Sequence, residues 1–91
     1  MAKSLYRAEN MELAALLREL REDKKWVQTD LGDRLGRNQT FVSNVELGIR
    51  RLDLVELRDY CAGLGVPLLK FVQLWESRLA GVKRQASRKG N

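Results

Sequence analysis

The sequence contains no histidine and only one cysteine, Cys61. One chain therefore offers no intramolecular disulfide, no zinc site of cysteine and histidine, and no histidine-based catalysis. No apolar run approaches the roughly 18 residues of a membrane span. The first ten residues, MAKSLYRAEN, lack the apolar core of a signal peptide. These absences predict a cytoplasmic protein that is not an enzyme and that uses no metal or cofactor.

Paired carboxylates do occur, and Asp30 and Asp33 form the clearest pair. Both are expected on the exposed side of a short amphipathic helix, where solvated charge is far commoner than acid–base chemistry.

Composition also bears on size: 44% of the 91 residues are apolar and 32% are charged. This fits one small globular domain with a modest core.

The net charge of +5 is unevenly distributed along the chain. Residues 24–51 carry +3 and residues 80–91 carry +4, whereas residues 9–23 carry −3. Positive charge is thus concentrated in the middle of the chain and at its end. Such a distribution favours binding to phosphate groups.

Helical periodicity dominates the chain, and no strand-like alternation is found. The first predicted helix covers about residues 8–23, where apolar side chains follow the i, i+3, i+4, i+7 pattern at Leu13, Leu16, Leu17 and Leu20. The second and third helices are predicted over about 28–35 and 39–47. Gly36 lies in the turn between them, and Asn38 is the expected N-cap of the third helix.

Two further helices follow Gly48, which is placed to end the third helix in a left-handed conformation. Asp53 is the expected N-cap of the fourth helix, which Gly65 ends. Pro67 fits the first turn of the fifth helix, where a missing amide costs nothing. Residues 80–91 combine glycine, serine and like charges without apolar periodicity. We therefore expect a folded domain over 1–79 and a basic, disordered tail over 80–91.

The fifth helix carries more apolar surface than one core-facing stripe requires. Its stripe consists of Leu68, Phe71, Val72, Trp75 and Leu79, while Leu69 and Leu74 lie to either side of it. Two explanations stay open on this pattern. The helix either packs under the first and fourth helices with a wide face, or it forms a twofold dimer interface.

Residues 28–47, QTDLGDRLGRNQTFVSNVEL, are the most informative stretch. The spacings of its leucines and valines fit two short helices that cross at a tight turn. The positions that carry a family pattern are Gln28, Gly32, Gly36, Gln39, Val42, Ser43, Glu46 and Gly48. Here the chain resembles the phage-repressor and Cro-like helix-turn-helix family, also called the xenobiotic-response-element (XRE) family. The resemblance extends over about residues 13–74. It implies an all-α, compact five-helix bundle of the lambda-repressor-like DNA-binding type.

The resemblance also implies roles for individual residues. It places four polar side chains of the third helix against DNA bases, namely Gln39, Thr40, Ser43 and Asn44. It implies that Gln28 supports Gln39 by a hydrogen bond, and that Arg21 and Glu46 form a partly buried ion pair. It favours the dimer explanation for the fifth helix, with Leu69, Leu74 and Trp75 as interface candidates. Gly32 departs from the alanine that is commoner in the family.

Phosphate contacts are expected around the two short helices. The amino-terminal end of a helix attracts anions, and Gln28 adds an amide side chain at that end of the second helix. The basic residues that flank the two loops are Lys24, Arg37, Arg50 and Arg51. No lysine or arginine occurs between Asn38 and Ile49, so the side chains that face the bases are uncharged amides and hydroxyls.

These features together predict a sequence-specific, DNA-binding transcriptional regulator in the cytoplasm, associated with the nucleoid. It would bind double-stranded DNA at a near-palindromic operator as a homodimer, with the third helix in each major groove and repression as the favoured mode. The alternative is a protein-interaction module, such as an antitoxin or adaptor, that binds a protein partner through the fifth helix or the exposed face of the third.

Overall fold

Five helices joined by short connections make up the computed structural model, which describes the backbone of residues 7–90 and the side chains of residues 7–81. In chain order they are α1 (Ala8–Asp23), α2 (Gln28–Leu35), α3 (Gln39–Glu46), α4 (Leu54–Leu64) and α5 (Leu68–Gly90). The described backbone contains no strand. The prediction of an all-α, five-helix fold is therefore confirmed.

The capping residues and glycines singled out in the sequence lie at the helix ends where we expected them. The Asn38 side chain accepts a hydrogen bond of 2.9 Å from the Phe41 amide at the start of α3. At the start of α4, the Asp53 carboxylate accepts from the Glu56 amide over 2.7 Å, and the Glu56 carboxylate accepts from the Asp53 amide over 3.0 Å. The glycines that follow α2, α3 and α4 all have positive φ angles. Leu47 caps α3, so this helix ends one residue earlier than predicted.

A close backbone approach joins α2 to α3. A Cβ atom added to Gly32 would lie 2.7 Å from the carbonyl oxygen of Arg37, well inside van der Waals contact. Gly36, with φ of 69°, then lets the chain reverse in a left-handed turn that an L side chain disfavours. The absence of a side chain at residue 32 thus permits the two helices of the motif to cross tightly.

One hydrophobic core receives side chains from all five helices. Its largest fully buried members include Tyr60 of α4 and Phe71 of α5, and α3 contributes Val42 and Val45. Burial of these two valines anchors α3 along one side. The opposite side of α3 consequently lies at the surface.

The carboxyl-terminal part of α5 differs from the prediction. The backbone remains helical through Gly90, whereas we expected a disordered tail from residue 80. The segment is rich in alanine, lysine, arginine and glutamine, which favour helix, and a single interior glycine costs only about 1 kcal/mol. Charge repulsion and missing apolar periodicity therefore did not decide the backbone conformation. Within the described range, no helix combines the length and the apolar character needed to cross a bilayer.

Candidate nucleic-acid interface

The exposed side of α3 is polar and nearly free of charge. Gln39 and Thr40 are exposed, and Ser43 and Asn44 are half-buried. Because the resemblance places these four residues against DNA bases, we call them the base-contact face. The one charged residue of α3 is Glu46, and its side chain is only 3% exposed. The base-contact face therefore presents amides and hydroxyls to solvent.

An ion pair lies beneath this face. The Arg21 guanidinium of α1 donates hydrogen bonds of 2.6 and 3.0 Å to the Glu46 carboxylate. It also donates a bond of 2.6 Å to the Trp26 carbonyl oxygen. Hydrogen bonding to Glu46 raises the pKa of Arg21 and outweighs its desolvation, so the Arg21 guanidinium keeps its charge although its side chain is shielded from water. The two residues that the resemblance paired are in direct contact.

Gln28 connects this ion pair to the base-contact face. Its side-chain amide donates a hydrogen bond of 3.1 Å to the Glu46 carboxylate. Its amide oxygen accepts a bond of 3.3 Å from the side chain of Gln39. Gln39 keeps its carbonyl oxygen and one amide hydrogen without a partner in the described part of the chain. An acceptor and a donor side by side are what the edge of adenine requires.

The amino-terminal end of α2 lies next to Gln28. Asp30 accepts a hydrogen bond of 2.9 Å from the Val27 amide, so this carboxylate caps the helix as well as facing solvent. The amides of Gln28 and Thr29 precede the first intrahelical bonds of α2 and have no partner within the described residues. Two free amides beside a side-chain amide form a geometry that suits a phosphate group.

Phe41 organises the basic residues nearest to α3. The guanidinium carbon of Arg37 lies 3.8 Å from the centre of the Phe41 ring, and that of Arg50 lies at 5.5 Å. The ring itself packs against Tyr60, with 6.2 Å between the ring centres. Phe41 thus covers the joint between α3 and α4 and supports two cations at the same time.

The adjacent residues Arg50 and Arg51 differ in their environments. Arg50 forms an ion pair of 2.6 Å with Glu56 and also donates to the Arg51 carbonyl oxygen. The Arg51 side chain is exposed and has no hydrogen bond or ion pair within the described residues. Sequence reasoning missed Glu56, although the Asp53-x-x-Glu56 spacing is the known signal of a capping box.

Lys24 lies apart from the other predicted phosphate-binding residues. Its amine is 5.9 Å from the centre of the Trp26 ring, which also carries the Arg34 guanidinium at 4.4 Å. A Cβ atom on Gly65, just after α4, would lie 3.6 Å from the same amine. The described contacts of the Lys24 amine are therefore with Trp26 and the end of α4 and not with α3.

The three interface candidates on α5 are in different environments. Leu69 is 72% exposed. Leu74 and Trp75 pack partly buried against the core, and the Trp75 indole donates a hydrogen bond of 3.0 Å to the Glu9 carbonyl oxygen. Much of the apolar surface of α5 therefore packs against the rest of the chain. Of the three candidates, Leu69 alone has a large exposed apolar side chain.

Comparison with known proteins agrees with this geometry. A family model described as a helix-turn-helix domain matches residues 12–70. An XRE-family-like protein from Pseudomonas syringae pv. tomato DC3000 is 36% identical, over 85% of this chain and 94% of that chain, with a TM-score of 0.73. The chain belongs to the XRE-type helix-turn-helix family. This XRE-type domain is accordingly a DNA-binding domain of transcriptional regulators.

Two more distant structures share the fold of this XRE-type domain. The restriction-modification controller protein C.Esp1396I, in complex with its operator, is 21% identical over 78% of this chain and 93% of that chain, with a TM-score of 0.73. The clp gene regulator ClgR from Corynebacterium glutamicum is 20% identical over 91% and 88%, with a TM-score of 0.78. A search of curated proteins found no match.

Proposed function

We propose that this XRE-type domain recognises a specific DNA sequence with α3 in the major groove and represses transcription from the operator it occupies. The observation that carries the proposal is the hydrogen-bonded series from Arg21 through Glu46 and Gln28 to Gln39. A side chain that is already oriented loses less conformational entropy on binding than a free one. Gln39 is therefore prepared to contact a base edge.

The chemistry of the base-contact face predicts the kind of sequence that is bound. Gln39 and Asn44 each can form two hydrogen bonds with adenine, and the Thr40 methyl can pack on the methyl group of thymine. The usual arginine contact to guanine is missing from α3. The preferred half-site should therefore contain at least one A·T pair under Gln39 or Asn44.

Phosphate contacts position the helix and supply sequence-independent affinity. We propose that the free amides of α2 and the Gln28 side chain hold one phosphate. Further candidates for phosphate contacts are the exposed Lys24, Arg37 and Arg51 and the half-buried Arg50. For each phosphate that the protein neutralises, the slope of log K against log salt becomes steeper by about 0.9.

A dimer would place one α3 in each of two successive major grooves, with half-site centres roughly 34 Å apart. The exposed Leu69 is the proposed contact between the copies, with Leu74 and Trp75 supporting it from the core. C.Esp1396I, which shares the fold, forms a tetramer on its natural operator of 35 base pairs. This precedent supports binding of one operator by more than one copy of the domain.

The test is selection of bound duplexes from a random library at stated salt, followed by affinity measurements with Gln39→Ala and Asn44→Ala. We expect an enriched inverted repeat, and a loss of about 1–3 kcal/mol of base discrimination for each variant. Gln73→Ala changes an exposed glutamine of α5 and serves as the matched control. Failure to enrich any motif would contradict the proposal and favour a protein-interaction module. Unchanged base preference in both variants would contradict the assignment of the base-contact face.

A further inference from the structure

The Glu56 carboxylate lies at the centre of a small charged cluster beside α3. One carboxylate oxygen is 2.6 Å from an Arg50 nitrogen, and the other is 3.4 Å from the second nitrogen of the same guanidinium. That second oxygen also accepts the Asp53 amide over 3.0 Å. Both the first turn of α4 and Arg50 therefore hold the Glu56 carboxylate in place.

Both terminal nitrogens of the Arg50 guanidinium donate hydrogen bonds. One terminal nitrogen bonds to Glu56, and the other reaches both Glu56 and the Arg51 carbonyl oxygen. Arg50 also lies over Phe41, on the ring that carries Arg37. The hydrogen bond with Arg50 is the main cause that lowers the pKa of Glu56, and the charge of Arg37 adds a smaller contribution. Glu56 therefore stays ionised near neutral pH and acts on both arginines.

We propose that Glu56 competes with DNA phosphate for Arg50 and so lowers the sequence-independent affinity of the domain. The inference rests on the proposed DNA-binding function. A phosphate that approaches Arg50 must replace a carboxylate that already forms charge-assisted hydrogen bonds with it. Because the exchange substitutes one anion for another, Arg50 contributes little to the net free energy of DNA binding. It also neutralises no additional phosphate. Glu56 is accordingly a positioning residue for the interface.

The consequence concerns the balance between specific and non-specific binding. Phosphate contacts strengthen binding to all sequences equally, whereas contacts from the base-contact face distinguish among them. When one arginine is held in an ion pair within the domain, base contacts supply a larger share of the affinity for DNA. Glu56 should therefore raise the ratio of specific to non-specific affinity.

Glu56→Gln tests this inference while preserving the helix cap, because glutamine also serves in a capping box. We expect tighter binding to a random-sequence duplex in titrations from 50 to 200 mM salt. The slope of log K against log salt should become steeper by about 0.9, the value for one additional phosphate contact. A merely structural role of Glu56 would weaken binding instead. Nuclear magnetic resonance relaxation of the Arg50 side chain should also show greater mobility in the variant.

Two controls separate this effect from other causes. Glu76→Gln removes the same charge from an exposed position of α5 that has no partner within the described residues. Its slope should equal that of the wild type. The double variant Glu56→Gln/Arg50→Gln should lose the added slope, because the released arginine is absent.

Three outcomes would overturn the inference: an unchanged slope in Glu56→Gln, an equal increase in Glu76→Gln, or an increase that survives in the double variant. All three presuppose that the wild type binds duplex DNA. If it binds none at low salt, the proposed function fails first and the inference fails with it. The two failures are therefore distinguishable from the same set of titrations.

Discussion

The guanidinium of Arg21 in α1 donates two hydrogen bonds to the carboxylate of Glu46 in α3, over 2.6 and 3.0 Å. The same carboxylate accepts a third bond from Gln28. A single acidic group therefore connects the packing of α1 against α3 with the side chain that orients Gln39. In the proposed binding mode, stability and base recognition both depend on this group, and substitutions can distinguish the two roles.

Glu46→Ala should destabilise the domain strongly, because it leaves the Arg21 charge shielded from water without its partner. We expect the free energy of unfolding to fall by about 3–5 kcal/mol. Asn44→Ala, on the same helix but without a described side-chain hydrogen bond, should cost less than about 1 kcal/mol. Urea denaturation of both variants measures the difference. Equal stabilities would contradict the role assigned to the ion pair.

Gln28→Ala should alter base preference at the position that Gln39 contacts, because Gln39 loses its orienting partner. A double-mutant cycle with Gln39→Ala on the selected operator measures the coupling between the two side chains. We expect an interaction free energy of about 0.5 kcal/mol or more, as found for residues in one hydrogen-bonded network. If the losses of binding free energy in the two single variants add up in the double variant, the two glutamines act independently on DNA.

Gly32→Ala should destabilise the domain although alanine is the better helix former. The new Cβ would meet the Arg37 carbonyl oxygen at 2.7 Å, and relief of such a clash costs about 1–3 kcal/mol. Gly81→Ala is the matched control, because nothing lies within 4 Å of its added Cβ. That variant should gain up to about 1 kcal/mol from helix propensity. A Gly32→Ala variant that melts above the wild type would disprove the close approach.

Stability should decrease at alkaline pH because of Cys61. Burial raises the pKa of this thiol to about 11 from an ordinary value of 9.0. The unfolded chain therefore releases the proton first, and the folded state loses stability as pH rises from about 9 towards 11. The slope should approach 1.4 kcal/mol per pH unit. Unfolding of the wild type and Cys61→Ala between pH 8 and 10 isolates this contribution, and parallel curves would contradict it.

Local signals explain why so much of the fold could be predicted from the sequence. Asn38 and Asp53 cap their helices through neighbours only three residues away, and Gly36 determines its own turn. Such interactions are encoded within a few residues. The backbone of the tail was harder to predict, because its alanine, lysine and arginine residues favour helix, whereas its glycine, serine and like charges favour disorder.

The candidate site was predictable where the family pattern specified it and obscure elsewhere. The Arg21–Glu46 ion pair and the hydrogen bond between Gln39 and Gln28 follow from positions that the resemblance carries. The environment of Arg50 does not, because its pairing with Glu56 depends on how the loop after α3 returns to the start of α4. Charge counting alone treats Arg50 and Arg51 as equivalent cations, whereas their contacts differ.

The lack of charge on the base-contact face has an evolutionary consequence. In the proposed binding mode, the residues that attract the domain to any duplex lie outside α3, and the residues that distinguish among duplexes lie on it. In that mode, substitutions at Thr40 or Ser43 would redirect the domain to new target sites, while its sequence-independent affinity for DNA and the salt range in which it binds would stay the same. Divergence of paralogues onto separate operators would then require few and local changes.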